Sequence, residues 1–339
     1  MNRFVYYPGC SMDASAKAYA DSLEAISGPL GLELIEIDDW NCCGATEYMG
    51  VSPTRAHTLV SRNLALAEQQ KNGSRTLVAP CSACFMNLAK TENYLREDKA
   101  LADTVNTALA AGGLHYTPGS VDVRHLLEVI FDDVGIETVH GQVTRPLGGL
   151  KVAPYLGCLV TRPDLDRRWS SHENPRHFDR LLRTLGAQVV DFPLRTDCCG
   201  GHMTQISPAT GFELIRRLVD AAERAGADLM VTSCPMCQMN VDAYQAEMNR
   251  YFKTSYHMPI LFFTQLIGLA FGFPAEKLGI GTEIVSARAA LSKIGIEVPV
   301  AEGQEPVGVG AAGPPRRPRA KQTGLPMPAM PGEHGEVPR

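Results

Sequence analysis

The sequence predicts an α/β protein built from two tandem units of one design, each a small, mostly parallel sheet with covering helices, followed by a disordered tail. Three observations carry this. Short β-branched and apolar runs alternate with amphipathic stretches of helical period, the pattern of parallel strands joined by helical crossovers. The ten cysteines fall into two sets of five with the same internal order. The residues around them repeat too: Tyr7-Pro8-Gly9-Cys10 answers Tyr155-Leu156-Gly157-Cys158, Cys43-Gly44-Ala45 answers Cys199-Gly200-Gly201, and Cys84-Phe85-Met86-Asn87 answers Cys237-Gln238-Met239-Asn240. A repeat of this length is a pair of domains and not a solenoid.

In the first unit, Phe4–Tyr7 reads as a strand, Ala14–Ile26 as a helix, Glu33–Ile37 as a strand, Pro53–Gln70 as a helix and Thr76–Ala79 as a strand. In the second, the corresponding series is Lys151–Leu156, Pro175–Leu185, Gln188–Phe192, Pro208–Arg224 and Leu229–Thr232. Ser52-Pro53 and Ser207-Pro208 both read as helix starts, with serine at the N-cap and proline at the first helical position, where its missing N–H costs nothing. Gly186 and Gly226 read as helix stops. The apolar stretch Pro259 to Phe273 is shorter than the roughly 20 residues that span a bilayer and reads as a core helix, with a partner-docking face through Phe262, Phe263, Leu266, Ile267, Leu269 and Phe271 as the alternative. These readings divide the chain into residues 1–148, 149–298 and a Pro- and Gly-rich tail, 299–339.

Each cysteine set runs as a single Cys, then Cys-Cys-Gly, then C-x2-C: Cys10, Cys42, Cys43, Cys81 and Cys84, then Cys158, Cys198, Cys199, Cys234 and Cys237. The gaps are 31 and 37 residues in the first set and 39 and 34 in the second. A disulfide framework belongs to small secreted chains, whereas this one has 339 residues and opens on Met1-Asn2-Arg3 without a charged-then-apolar leader. Zinc uses C-x2-C pairs, but its tetrahedron takes four ligands and leaves one cysteine of each set over; zinc in one half stays open. A duplicated five-thiolate pattern points to iron–sulfur chemistry at two sites, although the common C-x2-C-x2-C-x3-C-P run is absent.

The two sets resemble the cysteine-rich CCG domain, two copies of which make up the B-type subunit of heterodisulfide reductase. The resemblance spans about residues 1–295, and all ten cysteine positions of the signature are filled. It implies that each set holds a noncubane [4Fe-4S] cluster and that the two clusters together cleave a disulfide. It also implies electron-transfer partners: a protein like the C-type subunit, with cubane iron–sulfur clusters, and a flavin-containing protein like the A-type subunit.

Cys10, Cys81, Cys158 and Cys234 each follow a short strand, at the sheet edge where open α/β folds place their sites. Cys81/Cys84 and Cys234/Cys237 open helices, whose N-terminal dipole favours thiolate. Gly44, Gly200 and Gly201 are candidates to let backbone pass close to a bulky cofactor, against the alternative of plain turns. His202 is a candidate proton or hydrogen-bond donor beside the second site, against a loop histidine satisfied by backbone. Asn87 and Asn240, one helical turn past the last cysteine of each set, are candidates to orient cofactor or substrate, against capping or surface roles. Arg162, Arg167 and Arg168 could attract an anionic substrate, against a solvated loop.

A net charge of −5 with no basic stretch in the body excludes a nucleic-acid surface. Gly308-Val309-Gly310-Ala311-Ala312-Gly313 matches a dinucleotide fingerprint on paper but lacks its strand and helix. The tail, with Arg316, Arg317, Arg319 and Lys321, reads as flexible and able to order on a partner.

These features lead to an expected cytoplasmic oxidoreductase subunit with no transmembrane segment. Two sites facing each other across a cleft would serve the two sulfurs of a disulfide, whose reduction takes two electrons and yields two thiolates; the reverse is thiol oxidation. Two competing readings are an electron-transfer subunit of a lactate- or succinate-type dehydrogenase complex and a non-catalytic zinc-binding scaffold.

Overall fold

In a computed structural model, residues 2–45, 47–70, 74–162 and 171–299 are described. The first half runs β1 (Asn2–Tyr6), α1 (Cys10–Asp13), α2 (Lys17–Ser27), β2 (Leu32–Glu36), α3 (Tyr48–Val51), α4 (Pro53–Gln69), β3 (Thr76–Ala79), α5 (Ser82–Glu97), α6 (Lys99–Ala110), β4 (Asp122–His125), α7 (Leu126–Val129) and α8 (Ile136–Gly141). The second runs β5 (Lys151–Tyr155), α9 (His177–Thr184), β6 (Gln188–Val189), α10 (Met203–Ile206), α11 (Pro208–Arg224), β7 (Leu229–Thr232), α12 (Pro235–Ala243), α13 (Gln245–Phe252), β8 (Ile260–Phe262), α14 (Phe263–Ala270) and α15 (Arg288–Ser292). Each half forms a four-stranded sheet, ordered β2-β1-β3-β4 and β6-β5-β7-β8. Every pairing is parallel.

Parallel strands are buried on both faces, so they read as near-continuous apolar runs. Along β1 and just beyond it, Phe4 faces a core shared by the two halves, whereas Val5 and Tyr7 face a core built from the first, against which Leu159 and Met236 of the second also pack. Along β5 and just beyond it, Val152 and Leu156 face the shared core, and Ala153 and Tyr155 a core private to the second. The shared layer is built around α2 and α14: Tyr19 stacks on Phe262 with ring centroids 4.4 Å apart, and the buried hydroxyls of Ser22 and Thr264 lie 2.7 Å apart.

The punctuation acts as expected at helix ends. After α9 the Gly186 N–H bonds the Arg183 carbonyl and the Ala187 N–H that of Leu182; after α11 the Gly226 and Ala227 N–H groups bond Glu223 and Ala222 in the same way. This is the Schellman closure, and φ of 89° and 75° at the two glycines explains the residue type. Ser52 and Ser207 occupy N-caps with proline at the first helical position, yet neither hydroxyl caps its helix; that of Ser207 pairs with Thr210 at 2.9 Å.

The structure departs from the sequence reading in three places. Each sheet has a fourth strand, β4 or β8, that the sequence pattern does not announce. The stretch read as one core helix is strand β8 followed by α14, and Phe262, Phe263, Leu266, Ile267 and Leu269 are buried within the protein and form no docking face. The helix expected over Ala14–Ile26 begins later, as α2 at Lys17, because Cys10–Asp13 makes a separate turn of helix before it. No helix among the described residues is long and apolar enough to cross a membrane.

Candidate metal centre

In each sheet the first strand connects to one neighbour on one side, and the third lies on its other side, so the loops after β1 and β3, and after β5 and β7, diverge at a topological switch point. All ten cysteines are found at these carboxyl edges. Cys10 is the first residue of α1, Cys81 is the N-cap of α5 and Cys84 lies in its first turn; Cys234 is the N-cap of α12 and Cys237 lies in its first turn. The Cys42-Cys43 and Cys198-Cys199 pairs sit on the loops that follow β2 and β6.

None of the ten is in a disulfide. Cys10 and Cys42 Sγ lie 3.8 Å apart, and Cys43 and Cys84 Sγ 3.5 Å apart. In the second set the thiols of Cys158 and Cys198, and of Cys199 and Cys237, perturb each other's titration, and the Tyr19 hydroxyl, 3.2 Å from the Pro80 carbonyl and 3.4 Å from that of Ser233, draws Cys81 and Cys234 together across the two halves. Among the described residues no three His, Cys, Asp or Glu side chains stand as the ligands of one ion would.

Electrostatics follow from sulfurs sharing protons. Hydrogen bonds from Cys42 and Cys84 hold the Cys43 thiol well below its usual range, and those from Cys237 and Cys81 do the same for Cys234. Cys198 is lowered to about 2 by Cys158 and Cys199. Their partners show the complement: Cys84, Cys81 and Cys237 are pushed up by hydrogen bonds to Cys43, Cys234 and Cys199 respectively. Within each set some thiols are held below and others above their usual range, as in a donor array in which metal can take the place of protons. An all-sulfur donor set suits iron–sulfur clusters or zinc.

The backbone around the sulfurs is tailored in both halves. Gly9 and Gly157 have φ of 73° and 70°, and a Cβ on either would come within 2.8 Å of the Sγ of Cys84 or Cys237. Both the left-handed backbone and the closeness of the sulfur demand glycine there. The N–H groups of Gly44 and Gly200 donate to the sulfurs of Cys42 and Cys198 at 3.4 and 3.3 Å, and that of Gly201 to Cys199 at 3.3 Å. Tyr7 and Tyr155 tie these loops down, donating to the carbonyls of Asn41 at 2.7 Å and Asp197 at 2.9 Å. Burial, reinforced by Cys84 and Cys237, pushes both phenols far up, so they stay protonated donors.

Asn87 and Asn240 are buried, and their amide groups donate to the backbone carbonyls of Cys43 at 3.2 Å and Cys199 at 2.5 Å. Each leaves a buried Oδ1 without a hydrogen-bond partner. His202, the N-cap of α10, places its Nδ1 2.5 Å from Oε1 of Glu47, so the loop after Cys199 meets the loop after Cys43. Above the second set opens a cavity of about 300 Å³, lined among others by Glu47, Ser82, Cys158, Cys198, His202 and Met236. Arg162 is exposed; Arg167, Arg168, the Gly308–Gly313 run and the basic residues of the tail lie outside the described residues.

Sequence reasoning missed Gly9, Gly157, Tyr7 and Tyr155 as site residues, although the repeated Tyr-x-Gly-Cys was visible. It also missed Glu47, for which no sequence signal exists, since its counterpart four residues past the second pair is Met203.

The Cysteine-rich domain (CCG) profile matches residues 4–89 and 152–242. The chain is 36% identical over 284 residues to the 8-methylmenaquinol:fumarate reductase membrane anchor subunit of Wolinella succinogenes, covering 84% of this chain and 97% of that protein. It is 29% identical over 297 residues to the B-type subunit of the ferredoxin:CoB-CoM heterodisulfide reductase of Methanosarcina mazei, covering 87% and 97%. To a protein of Archaeoglobus profundus described as like the B-type heterodisulfide reductase subunit it is 27% identical over 283 residues, covering 82% and 93%. The fold is similar to that of a hypothetical protein from Helicobacter pylori, with a TM-score of 0.66 at 16% identity; that match covers 84% of this chain and about half, 52%, of the solved one. With both CCG units matched and ten cysteines gathered at the edges of two like sheets, the chain belongs to the cysteine-rich CCG-domain family of proteins like the B-type subunit of heterodisulfide reductase.

Proposed function

We propose that this chain is the cytoplasmic iron–sulfur subunit of a heterodisulfide reductase-like complex, reducing a disulfide or, in reverse, oxidising thiols. Residues 1–148 and 149–298 would act as its two CCG domains, each five-cysteine set holding one noncubane [4Fe-4S] cluster. The observation that carries this reading is that the Tyr19 hydroxyl reaches the carbonyls of both Pro80 and Ser233, the residues before Cys81 and Cys234, so that the two five-cysteine sites meet beside a cavity of about 300 Å³ lined from both halves. Such clusters, when bound, supply single electrons and iron sites able to hold sulfur.

The protein's own residues have assignable parts. The ten cysteines are the ligands, and Gly9 and Gly157 keep the space between them clear. Asn87 and Asn240 hold the backbone of the Cys-Cys-Gly loops, so their part is positioning, while Gly44, Gly200 and Gly201 direct N–H groups at sulfur, which favours an anionic centre. His202, supported by Glu47 at the cavity wall, is placed to hydrogen-bond a sulfur of the substrate. Electrons would be exchanged with a protein like the C-type subunit, carrying cubane clusters, and a flavin-containing protein like the A-type subunit.

A second reading is favoured by the 36% identity to a methylmenaquinol:fumarate reductase subunit: the same two sites would pass electrons in a complex acting on a carboxylate. Anaerobic purification with metal and sulfide analysis, electron paramagnetic resonance and identification of co-purifying chains tests all of this. About eight iron and about eight sulfide per chain are expected; zinc in their place overturns the cluster reading. A flavin-linked carboxylate dehydrogenase as the co-purifying partner, in place of the A-type and C-type chains, selects the second reading. Cys198→Ala should lose iron from the second site alone, because each half has a core of its own.

A further inference from the structure

The two C-x2-C pairs differ inside: Cys81-Ser82-Ala83-Cys84 in the first half, Cys234-Pro235-Met236-Cys237 in the second. Ser82 belongs to the first half by sequence, yet its side chain is among those lining the cavity over the second set. It is 1% exposed and stands with Cys234 in the lining of that cavity. Behind it stands His125, fully buried at the end of β4, with Nε2 3.5 Å from Ser82 Oγ.

The direction of this chain of bonds follows from the other side of the imidazole. The backbone N–H of Leu127 donates to His125 Nδ1 at 3.1 Å, so Nδ1 carries no hydrogen and the proton of the neutral ring lies on Nε2. Nε2–H then donates to Ser82 Oγ, which leaves the hydroxyl hydrogen for Cys234 Sγ. The ring cannot turn easily: its Nδ1 caps α7, the His125 N–H is held by Glu128 Oε2 at 2.8 Å, and Phe85 packs edge-on with centroids 5.5 Å apart. In the second half Pro235 replaces Ser82 and has no donor to offer Cys81 in return.

We propose that Ser82, oriented by His125, is a positioning residue of the first half that tunes the redox centre of the second by hydrogen-bonding the Cys234 sulfur. This rests on the reading that the second set holds an iron–sulfur cluster. A hydrogen bond to a ligand sulfur withdraws charge from it and stabilises the reduced, more negative centre, raising its reduction potential. Because Pro235 cannot reciprocate, the effect falls on one site of the pair.

The test is a redox titration of the anaerobically purified protein followed by electron paramagnetic resonance, with iron and sulfide counted on each sample. Ser82→Ala should keep full iron and lower the midpoint potential of the second site while leaving the first unchanged, and Ser82→Thr, which keeps the hydroxyl, should restore it. His125→Phe should shift the same site in the same direction by less. An unshifted second site in fully loaded Ser82→Ala, an equal shift at both sites, or loss of iron from the second site, which would make Ser82 merely structural, overturns the proposal. Wild-type protein without iron would instead remove the cluster reading, and this inference with it.

Discussion

Cys81 and Cys234, the leading cysteines of the two C-x2-C pairs, are brought together across the halves of the chain through the residues just before them, Pro80 and Ser233. What holds them there is Tyr19 on α2, fully buried, whose hydroxyl lies 3.2 Å from the Pro80 carbonyl and 3.4 Å from that of Ser233. Those carbonyls belong to the residues just before the two cysteines, so one side chain spans both loops. Tyr19→Phe should keep the ring stacked on Phe262 but leave the buried carbonyls short of a donor. The expected cost is about 1–3 kcal/mol, read as a lower midpoint in urea unfolding; an unchanged midpoint would show that Tyr19 contributes through its ring alone.

Gly157→Ala should empty the second site. The new methyl would sit 2.8 Å from Cys237 Sγ on a backbone with φ of 70°, and both sulfur and chain must move to relieve it. Gly9→Ala should do the same at the first site through Cys84. Iron counts resolved by site should show loss in the mutated half only, and retention of full iron in both variants would contradict the role given to these glycines.

Much of this was readable beforehand because the informative residues are local. Strand β3, helix α11 and strand β7 fall where the apolar runs, Ser-Pro starts and glycine stops place them, since each signal acts within a few residues. Strands β4 and β8 are four and three residues long, too short for a period to declare itself; they are strands because β3 and β7 offer an open parallel edge. The apolar run from Pro259 shows the same limit, since fully buried strand and helix share one composition. The cysteines could be grouped by their duplicated order. The Glu47–His202 contact and the meeting of Ser82 with Cys234 in one cavity wall could not, because they join the halves through tertiary packing, which leaves no mark on local pattern.

Below the second site lies a charge pair whose loss should be costly. Arg195, 2% exposed, reaches Asp179, fully buried, at 2.5 Å, and its carbonyl accepts the N–H groups of Leu156 and Gly157 at 2.9 and 3.1 Å, just before Cys158. Arg195→Met leaves the buried Asp179 with Arg176, 2.9 Å away, and Arg183, 3.8 Å away, both on the more exposed side. Removing one partner of a buried pair costs about 3–5 kcal/mol, and the two remaining arginines should keep this case near the lower end. A fall in thermal midpoint with early loss of second-site iron is expected. A stability equal to wild type would mean that Arg176 and Arg183 compensate completely.

The strongest test of the two-site reading is loss of one site at a time. Cys43 and Cys199 are the buried members of the Cys-Cys-Gly pairs, each 3% exposed, each hydrogen-bonded within its own set, and each with its carbonyl held by Asn87 or Asn240. Their replacement by alanine should therefore disable one site and spare the other. If a disulfide is shared between the sites, each variant should be inactive in the reconstituted complex, because one electron delivered to one sulfur leaves an unpaired thiyl radical on the other. The double variant should then be no worse than either single one, as expected of groups acting as a unit. A single variant retaining near half of the wild-type rate per complex would mean that the sites turn over independently. Disulfide chemistry shared between the two sites would then give way to electron passage through each site alone.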